Sequence, residues 1–155
     1  GAMFVSWWLQ KKPDLTMVLN GILAGLVGIT AGADVVSIPA ACLIGLIAGF
    51  LVVLSVLGLD RLQVDDPVGA VSVHLVCGVW GTLAAGIWGS GKHFSVQLLG
   101  VLIYGAFCLL SAAVIFGILK VTLGIRVTRE EEILGLDVGE HGMEAYPDFQ
   151  GFLTK

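Results

Sequence analysis

Long uninterrupted apolar runs dominate the chain, and polar residues gather at the breaks between them. The runs cover residues 1–9, 15–33, 38–59, 68–88 and 94–123. About 20 apolar residues wound as a helix cross the roughly 30 Å of hydrocarbon in a bilayer. We therefore predict a partial membrane span at the start of the chain, followed by four complete spans.

The break before residue 68 carries the clearest helix start signal. Asp65 and Asp66 precede Pro67 at this point. A carboxylate here accepts hydrogen bonds from the free N–H groups of the first turn, and proline supplies a φ angle suited to that turn. We predict Asp66 as the N-cap of the third complete span, with Asp65 and Pro67 as neighbouring structural residues.

The amino-acid composition indicates a membrane protein. Hydrophobic residues make up 57% of the chain and charged residues 13%, against roughly 25% charged residues in ordinary soluble domains. Apolar runs of this length are helical in lipid, and the alternation typical of barrel strands is missing from the sequence. The predicted fold class is an all-α, polytopic membrane helix bundle, whose many glycines let the helices pack closely.

The distribution of Lys and Arg predicts the orientation. When successive loops alternate between the two sides of the membrane, only Lys92 falls on one side. Seven basic residues fall on the other: Lys11, Lys12, Arg61, Lys120, Arg126, Arg129 and Lys155. The positive-inside rule places this side, and with it a tail at residues 124–155, in the cytoplasm. No basic surface indicates nucleic-acid binding.

The tail contains one strong local signal. Thr128 and Glu131 have the T-x-x-E spacing of a capping box. We predict a short helix at residues 129–134, ended by Gly135.

His74 is the one ionisable side chain well inside a predicted span. Such residues are functional hypotheses by default, and the alternative is a neutral imidazole hydrogen-bonded to a neighbouring helix. Cys77 follows at i+3, but two ligands are too few for a closed zinc site.

The spans contain no nucleophile, paired carboxylates or metal cluster that would indicate an enzyme, and no cofactor is predicted. Hydrogen bonds between helices are the favoured role for Asn20, Ser72 and Thr82, with pore lining left open for each of them.

Three stretches resemble the ammonium transporter (Amt/Mep/Rh) family, in particular the C-terminal half of its Amt branch. They lie at residues 20–30, 65–81 and 124–146. The first contains Asn20, Gly21, Gly25 and Thr30, the second Asp65, Asp66, Pro67, His74, Cys77, Gly78 and Gly81, and the third Arg126, Gly135, Asp137, Gly142 and Tyr146.

The resemblance implies an eleven-span inverted-repeat fold in a homotrimer, with one conduction path for ammonium or ammonia in each subunit. This chain would supply the end of the seventh span through the eleventh, plus the tail, in a bacterial plasma (inner) membrane. His74 would be the second member of the twin-histidine pair of the pore, and its partner would lie in the N-terminal half of the family fold. Methylammonium is a further expected substrate.

The resemblance also assigns a role to the tail. Arg126, Gly135, Asp137, Gly142 and Tyr146 match the recurring positions of a cytoplasmic element that controls conduction. A trimeric signal protein of the PII type is a further partner that the family implies. The alternative to a transporter is a membrane scaffold or regulatory subunit in which His74 is purely structural. The sequence leaves open whether residues 1–3 are native.

Overall fold

The computed structural model describes residues 1–145, and the regular elements within that range are all helical. They are α1 (Ala2–Gln10), α2 (Leu15–Thr30), α3 (Ile38–Arg61), a π-helical segment named π1 (Val71–Val76), α4 (Cys77–Trp88), α5 (Phe94–Thr122), α6 (Arg129–Leu134) and α7 (Leu136–Gly139). The all-α prediction is confirmed for this range.

Fewer helices reach the full spanning length than the apolar pattern predicted. In the described part of the chain, Ile38–Arg61, Val71–Trp88 and Phe94–Thr122 are long and apolar enough to cross a membrane. α2 ends at Thr30 instead of residue 33, and its 16 residues fall short of the roughly 20 that a full span needs. The chain turns beyond Thr30 because the amide of Gly32 donates to the Ile29 carbonyl.

The end of α3 has the hydrogen bonds of a Schellman motif, which carries the helix to Arg61, two residues beyond the predicted boundary. The Val64 amide donates to the Leu59 carbonyl at 3.0 Å, and the Gln63 amide donates to the Asp60 carbonyl at 3.1 Å. Gln63 takes the left-handed position of the motif, with φ 57°. Glycine is the usual residue at this position, so no local signal marked the extra half-turn.

The described residues divide into two compact units, Gly1–Ala106 and the part from Phe107 onward. In the first unit, α3 packs against α2, and α1 and α4 each pack against both of these helices. The buried core consists mainly of small and β-branched residues, including Ala24, Ala48, Val52, Val53, Val73 and Cys77. Small side chains at these positions allow the close helix packing that stabilises bundles in lipid.

α2 and α4 approach most closely where two glycines meet. A Cβ atom on Gly81 would overlap the backbone carbonyl of Gly28. On the opposite side, a Cβ atom on Gly28 would lie 3.1 Å from the Cβ of Ala48 on α3. The three helices therefore meet at a point that admits no additional carbon atom without movement of a backbone.

We predict that Gly81→Ala destabilises the protein by about 1–3 kcal/mol, because the new methyl group meets backbone atoms that have no alternative position. Thermal unfolding of the detergent-solubilised protein measures this loss. Gly45→Ala is the matched control, since nothing lies within 4 Å of the Cβ that it adds. Equal effects of the two substitutions would show that α2 and α4 do not meet at backbone contact distance.

Candidate functional site

His74 lies in π1, where the helix widens to hydrogen bonds between residues five apart. Single π-turns inside α-helices are rare and are frequently found at functional sites. π1 is followed without a break by α4, so together they form one 18-residue apolar segment, Val71–Trp88. The sequence pattern placed His74 on an ordinary α-helix that begins at residue 68.

The Asp66 carboxylate satisfies the first amides of this segment. Its two oxygens accept from the Val71 and Ser72 N–H groups, each at 2.9 Å. Asp66 does not lie next to Val71, the first residue of π1. Its carboxylate reaches Val71 across a turn that contains Pro67 and Gly69. Burial alone would raise the pKa of Asp66, but the Ser72 and Val71 amides and the Ser72 side chain together lower it.

The turn between Asp66 and π1 depends on a glycine. Gly69 has a φ of 72°, and a Cβ atom there would lie 2.8 Å from the Nδ2 of Asn20. Asn20 therefore packs against this turn. It also borders a cavity of about 450 Å³ that includes Asp60, Asp65 and Asp66 among its lining residues. The acidic side chains and the amide make this cavity polar at the end of the bundle where π1 begins.

Three side-chain hydrogen bonds join π1 and α4 to α3. The Ser55 hydroxyl donates to Ser72 Oγ at 3.0 Å. The Cys77 thiol lies 3.5 Å from the carbonyl oxygens of both Ala48 and Ser72. One turn later, Trp80 Nε1 donates to the Ile44 carbonyl at 3.0 Å. The hydrogen bond between helices predicted for Ser72 is confirmed.

The face of π1 and α4 that carries His74 borders a groove against α2. The groove has a volume of about 370 Å³. Its lining residues are His74, Gly78 and Thr82 on one side and Val27, Thr30 and Ala31 on the other. Each set repeats at helical spacing, so the groove follows the seam between the two helices. His74 is exposed within the described chain.

Hydrogen-bond acceptors outnumber free donors in this groove. Thr30 Oγ1 donates to the Leu26 carbonyl at 2.7 Å, and Thr82 Oγ1 donates to the Gly78 carbonyl at 2.9 Å. Both hydroxyl protons are thus committed to the helix backbone, which leaves oxygen lone pairs for a visiting group. A neutral imidazole adds one acceptor nitrogen. The groove is suited to a small molecule that donates several hydrogen bonds.

The second unit contains the described part of the tail, up to residue 145. Thr128 and Glu131 form the capping box of α6, and Gly135 follows the helix, as predicted. The Glu131 amide donates to Thr128 Oγ1 at 3.3 Å, and the Glu131 carboxylate accepts from the Thr128 amide at 2.9 Å. The Thr128 amide and the Thr128 hydroxyl both donate to the Glu131 carboxylate, which lowers the pKa of Glu131. Arg126 pairs with Glu132 at 2.6 Å on the surface.

Asp137 folds the segment beyond α6 back on itself. Its carboxylate accepts from the Ala145 amide at 2.9 Å, which is the main reason why the pKa of Asp137 is lowered. Gly135 and Gly142 have φ angles of 96° and 64°, which non-glycine residues rarely adopt. Four of the five predicted tail residues therefore lie in local hydrogen bonds or glycine turns. Tyr146 lies outside the described residues.

Sequence reasoning did not single out Ser55, and it named Thr30 only as part of the first stretch that resembles the family. Ser55 is the only hydroxyl residue within α3 after its N-cap. An isolated hydroxyl in an apolar membrane helix is itself a signal of a hydrogen bond to a neighbouring helix. That signal was present in the sequence, but it does not identify the partner.

Comparisons with known proteins agree on one family. The sequence model of the Ammonium Transporter Family matches residues 1–146. The chain is 38% identical to an ammonium transporter, Amt2, of Archaeoglobus fulgidus, over 96% of this chain and 36% of that protein. It is 44% identical to a putative ammonium transporter of Synechocystis sp., over 86% of this chain and 30% of the relative.

A solved structure gives the same result. A chain described as a Sensor Amt Protein superimposes with a TM-score of 0.84 at 34% identity, covering 90% of this chain and 37% of that chain. The present chain thus spans about a third of the length of the relatives it matches. These relatives are named as transporters or as an Amt protein, none as an enzyme.

We predict that Asp66→Ala destabilises the protein at neutral pH by about 1 kcal/mol, the usual effect of losing a cap. Because the folded-state pKa of Asp66 is lowered, its contribution is complete above the ordinary aspartate pKa and is lost as the pH falls through the lowered value. Thermal unfolding of wild type and variant from pH 7 downward measures the difference. Asp65→Ala is the control, and it should leave stability unchanged. A difference for Asp66→Ala that persists at the most acidic pH would contradict the capping role.

We predict that Asp137→Asn weakens the fold of the tail without affecting the bundle. The neutral amide is a weaker acceptor for the Ala145 N–H group. Hydrogen exchange at the Ala145 amide should become faster, while exchange at the α3 amides should not change. Glu140→Gln is a suitable control within the same segment. Unchanged protection of Ala145 in Asp137→Asn would show that the carboxylate does not hold this segment.

Proposed function

The chain belongs to the ammonium transporter family, and from this premise we propose that its full-length parent conducts ammonium or ammonia through a passage lined by His74. The chain is an integral membrane protein by family and by its three long apolar helices. Because it spans about a third of its relatives' length, the proposal concerns the longer protein of which these residues form part.

The observation that carries the proposal is the groove between π1–α4 and α2. It places an imidazole next to two threonine oxygens whose protons are already committed. Ammonium has four N–H donors and no lone pair, and ammonia has three donors and one lone pair. Either species would find acceptors in this groove. The remaining lining residues are Val27, Ala31 and Gly78, and none of them has a polar side chain that would compete for the hydrogen bonds of the substrate.

The chemistry of an apolar passage favours a histidine at this position. An ammonium ion loses most of its hydration there, and the cost of moving an isolated charge out of water favours its deprotonation. Imidazole titrates closer to neutral pH than any other side chain, so it can accept or relay that proton. A neutral ring can also hydrogen-bond the ammonia that remains. We propose one of these two roles for His74.

The exposure of His74 in the described chain is consistent with a passage completed by further sequence. In this proposal the remainder of the parent covers the groove and supplies the other histidine of the pair. We further propose a homotrimer with one passage in each subunit and a bacterial inner-membrane location. The excess of Lys and Arg on one side supports a cytoplasmic tail.

We also propose that the tail regulates conduction. Its capping box and the bond from the Ala145 amide to Asp137 give it a defined local structure, which a purely solvating segment would not need. A PII-type signal protein is the partner we expect at the cytoplasmic face. The acidic cavity around Asp60 and Asp65 lies at the end of α3 that the count of Lys and Arg assigns to this face.

We predict that His74→Ala in the full-length parent lowers uptake of labelled methylammonium by roughly 100-fold, the lower range for loss of a group that transfers a proton. Membrane abundance should be unchanged, because the ring is exposed in the groove. Reconstitution in proteoliposomes gives the uptake rate. His93→Ala in the exposed loop before α5 is the control and should transport normally. Normal transport by His74→Ala would favour a structural residue in a scaffold or regulatory subunit.

A further inference from the structure

We propose that the hydrogen bonds between π1–α4 and α3 hold His74 at a fixed rotation toward the groove, which makes Ser55, Ser72 and Cys77 positioning residues for conduction. This inference rests on the function proposed above. None of the three side chains lines the groove, and each would act through the direction of the His74 ring.

The bonds form a ladder on the side of π1–α4 that faces α3. Moving along π1 and α4, the rungs are Ser72, Cys77 and Trp80. Their partners on α3 lie in the reverse order, at Ser55, Ala48 and Ile44, as expected for neighbouring antiparallel helices. Rungs at both ends and in the middle of the contact resist rotation of the segment about its axis.

The contact that the Cys77 thiol makes with the helix backbone is specific to the π-turn. In an α-helix, a small polar side chain that bonds back to the backbone reaches the carbonyl at i−4. The Cys77 thiol instead contacts the Ser72 carbonyl, five residues back. This contact fits the π register, and the same thiol also reaches Ala48 on α3. One side chain thus ties the wide turn both to itself and to the neighbouring helix.

Loss of the π-turn would redirect His74. Each residue of an α-helix advances the side-chain direction by about 100°. A shift of register by one residue between the Asp66 cap and Cys77 would therefore swing the imidazole by a similar angle. The ring would leave the face that it shares with Gly78 and Thr82 along the groove. The ladder prevents this shift because Ser72 and Cys77 would both lose their partners.

Burial makes the ladder costly to break. Ser72 and Cys77 are fully buried at 0% exposure, so no water can replace a lost partner. The Ser72 hydroxyl oxygen accepts the Ser55 proton, and the Ser72 amide donates to the Asp66 carboxylate. A continuous chain of bonds therefore runs from α3 through π1 to the cap of the segment. Removal of either serine hydroxyl breaks this chain.

The test uses the full-length parent in proteoliposomes with Ser55→Ala, Ser72→Ala and the double variant. We expect each single variant to lower the maximal rate of methylammonium uptake about threefold, the average strength of such bonds between membrane helices. The double variant should be no slower than the slower single variant, because both substitutions break the same bond. Thr122→Val is the matched control. It removes a hydroxyl that bonds only within α5, to the Ile118 carbonyl, and should leave uptake unchanged.

Two further readouts separate positioning from general destabilisation. Uptake measured against pH should shift its midpoint in the serine variants, because a turned imidazole meets a different environment. The ¹⁵N signals of the His74 ring, assigned by their loss in His74→Gln, should move in Ser72→Ala and not in Thr122→Val. Cys77→Ser keeps a donor and should retain the wild-type pH profile, whereas Cys77→Ala should lose it.

Serine variants that melt earlier yet keep the wild-type rate per molecule, pH profile and ¹⁵N signals would overturn the positioning role. The function proposed above fails separately, if His74→Gln transports normally. In that case the ¹⁵N signals alone still decide whether the ladder sets the direction of the ring, since they are measured without transport.

Discussion

The close packing of α4 against α2 and α3 is the constraint on which the position of His74 depends. In lipid, helices gain little from the hydrophobic effect when they associate, so dispersion contacts and hydrogen bonds must hold them. Here Gly28 and Gly81 bring two backbones into contact, and the Ser72, Cys77 and Trp80 side chains bond to α3. A looser approach would lose both the dispersion contacts and the hydrogen bonds.

This packing gives the His74 segment two different faces. The face toward α3 carries the buried Ser72 hydroxyl, the buried Cys77 thiol and the partly buried Trp80 indole, and all of them have partners. The face toward α2 carries a histidine and a threonine hydroxyl next to small residues, with space left between the helices. The polar groups that stabilise the bundle are thus separated from those that border the open groove. Asp66 completes the arrangement by capping the end of the segment.

Much of the helical framework could be predicted from the sequence, because it depends on local pattern. The apolar runs located the helices, and the spacing of Thr128 and Glu131 located α6 with its capping box. The π-turn could not be predicted in this way. It depends on partners that are distant in sequence, such as Ser55 for Ser72 and Ala48 for Cys77. The pattern of apolar residues is the same for an α-turn and a π-turn.

In the candidate site, too, the sequence indicated what depends on local pattern and missed what depends on contacts between helices. The isolated histidine in an apolar run pointed to His74, which borders the groove. Its neighbours across the groove, Thr30 and Ala31, follow from the crossing of α2 and α4, which no local signal specifies. The early end of α2 was also missed, because the turn at Gly32 is set by backbone bonds and not by a proline or a charge.

A cryo-electron microscopy structure of the full-length parent in lipid nanodiscs would show directly what the His74 ring faces. We predict that the imidazole of His74 lines a continuous narrow passage, which the Thr30 and Thr82 oxygens also border. An imidazole that faces lipid, or one sealed in solid packing with no passage beside it, would contradict the account.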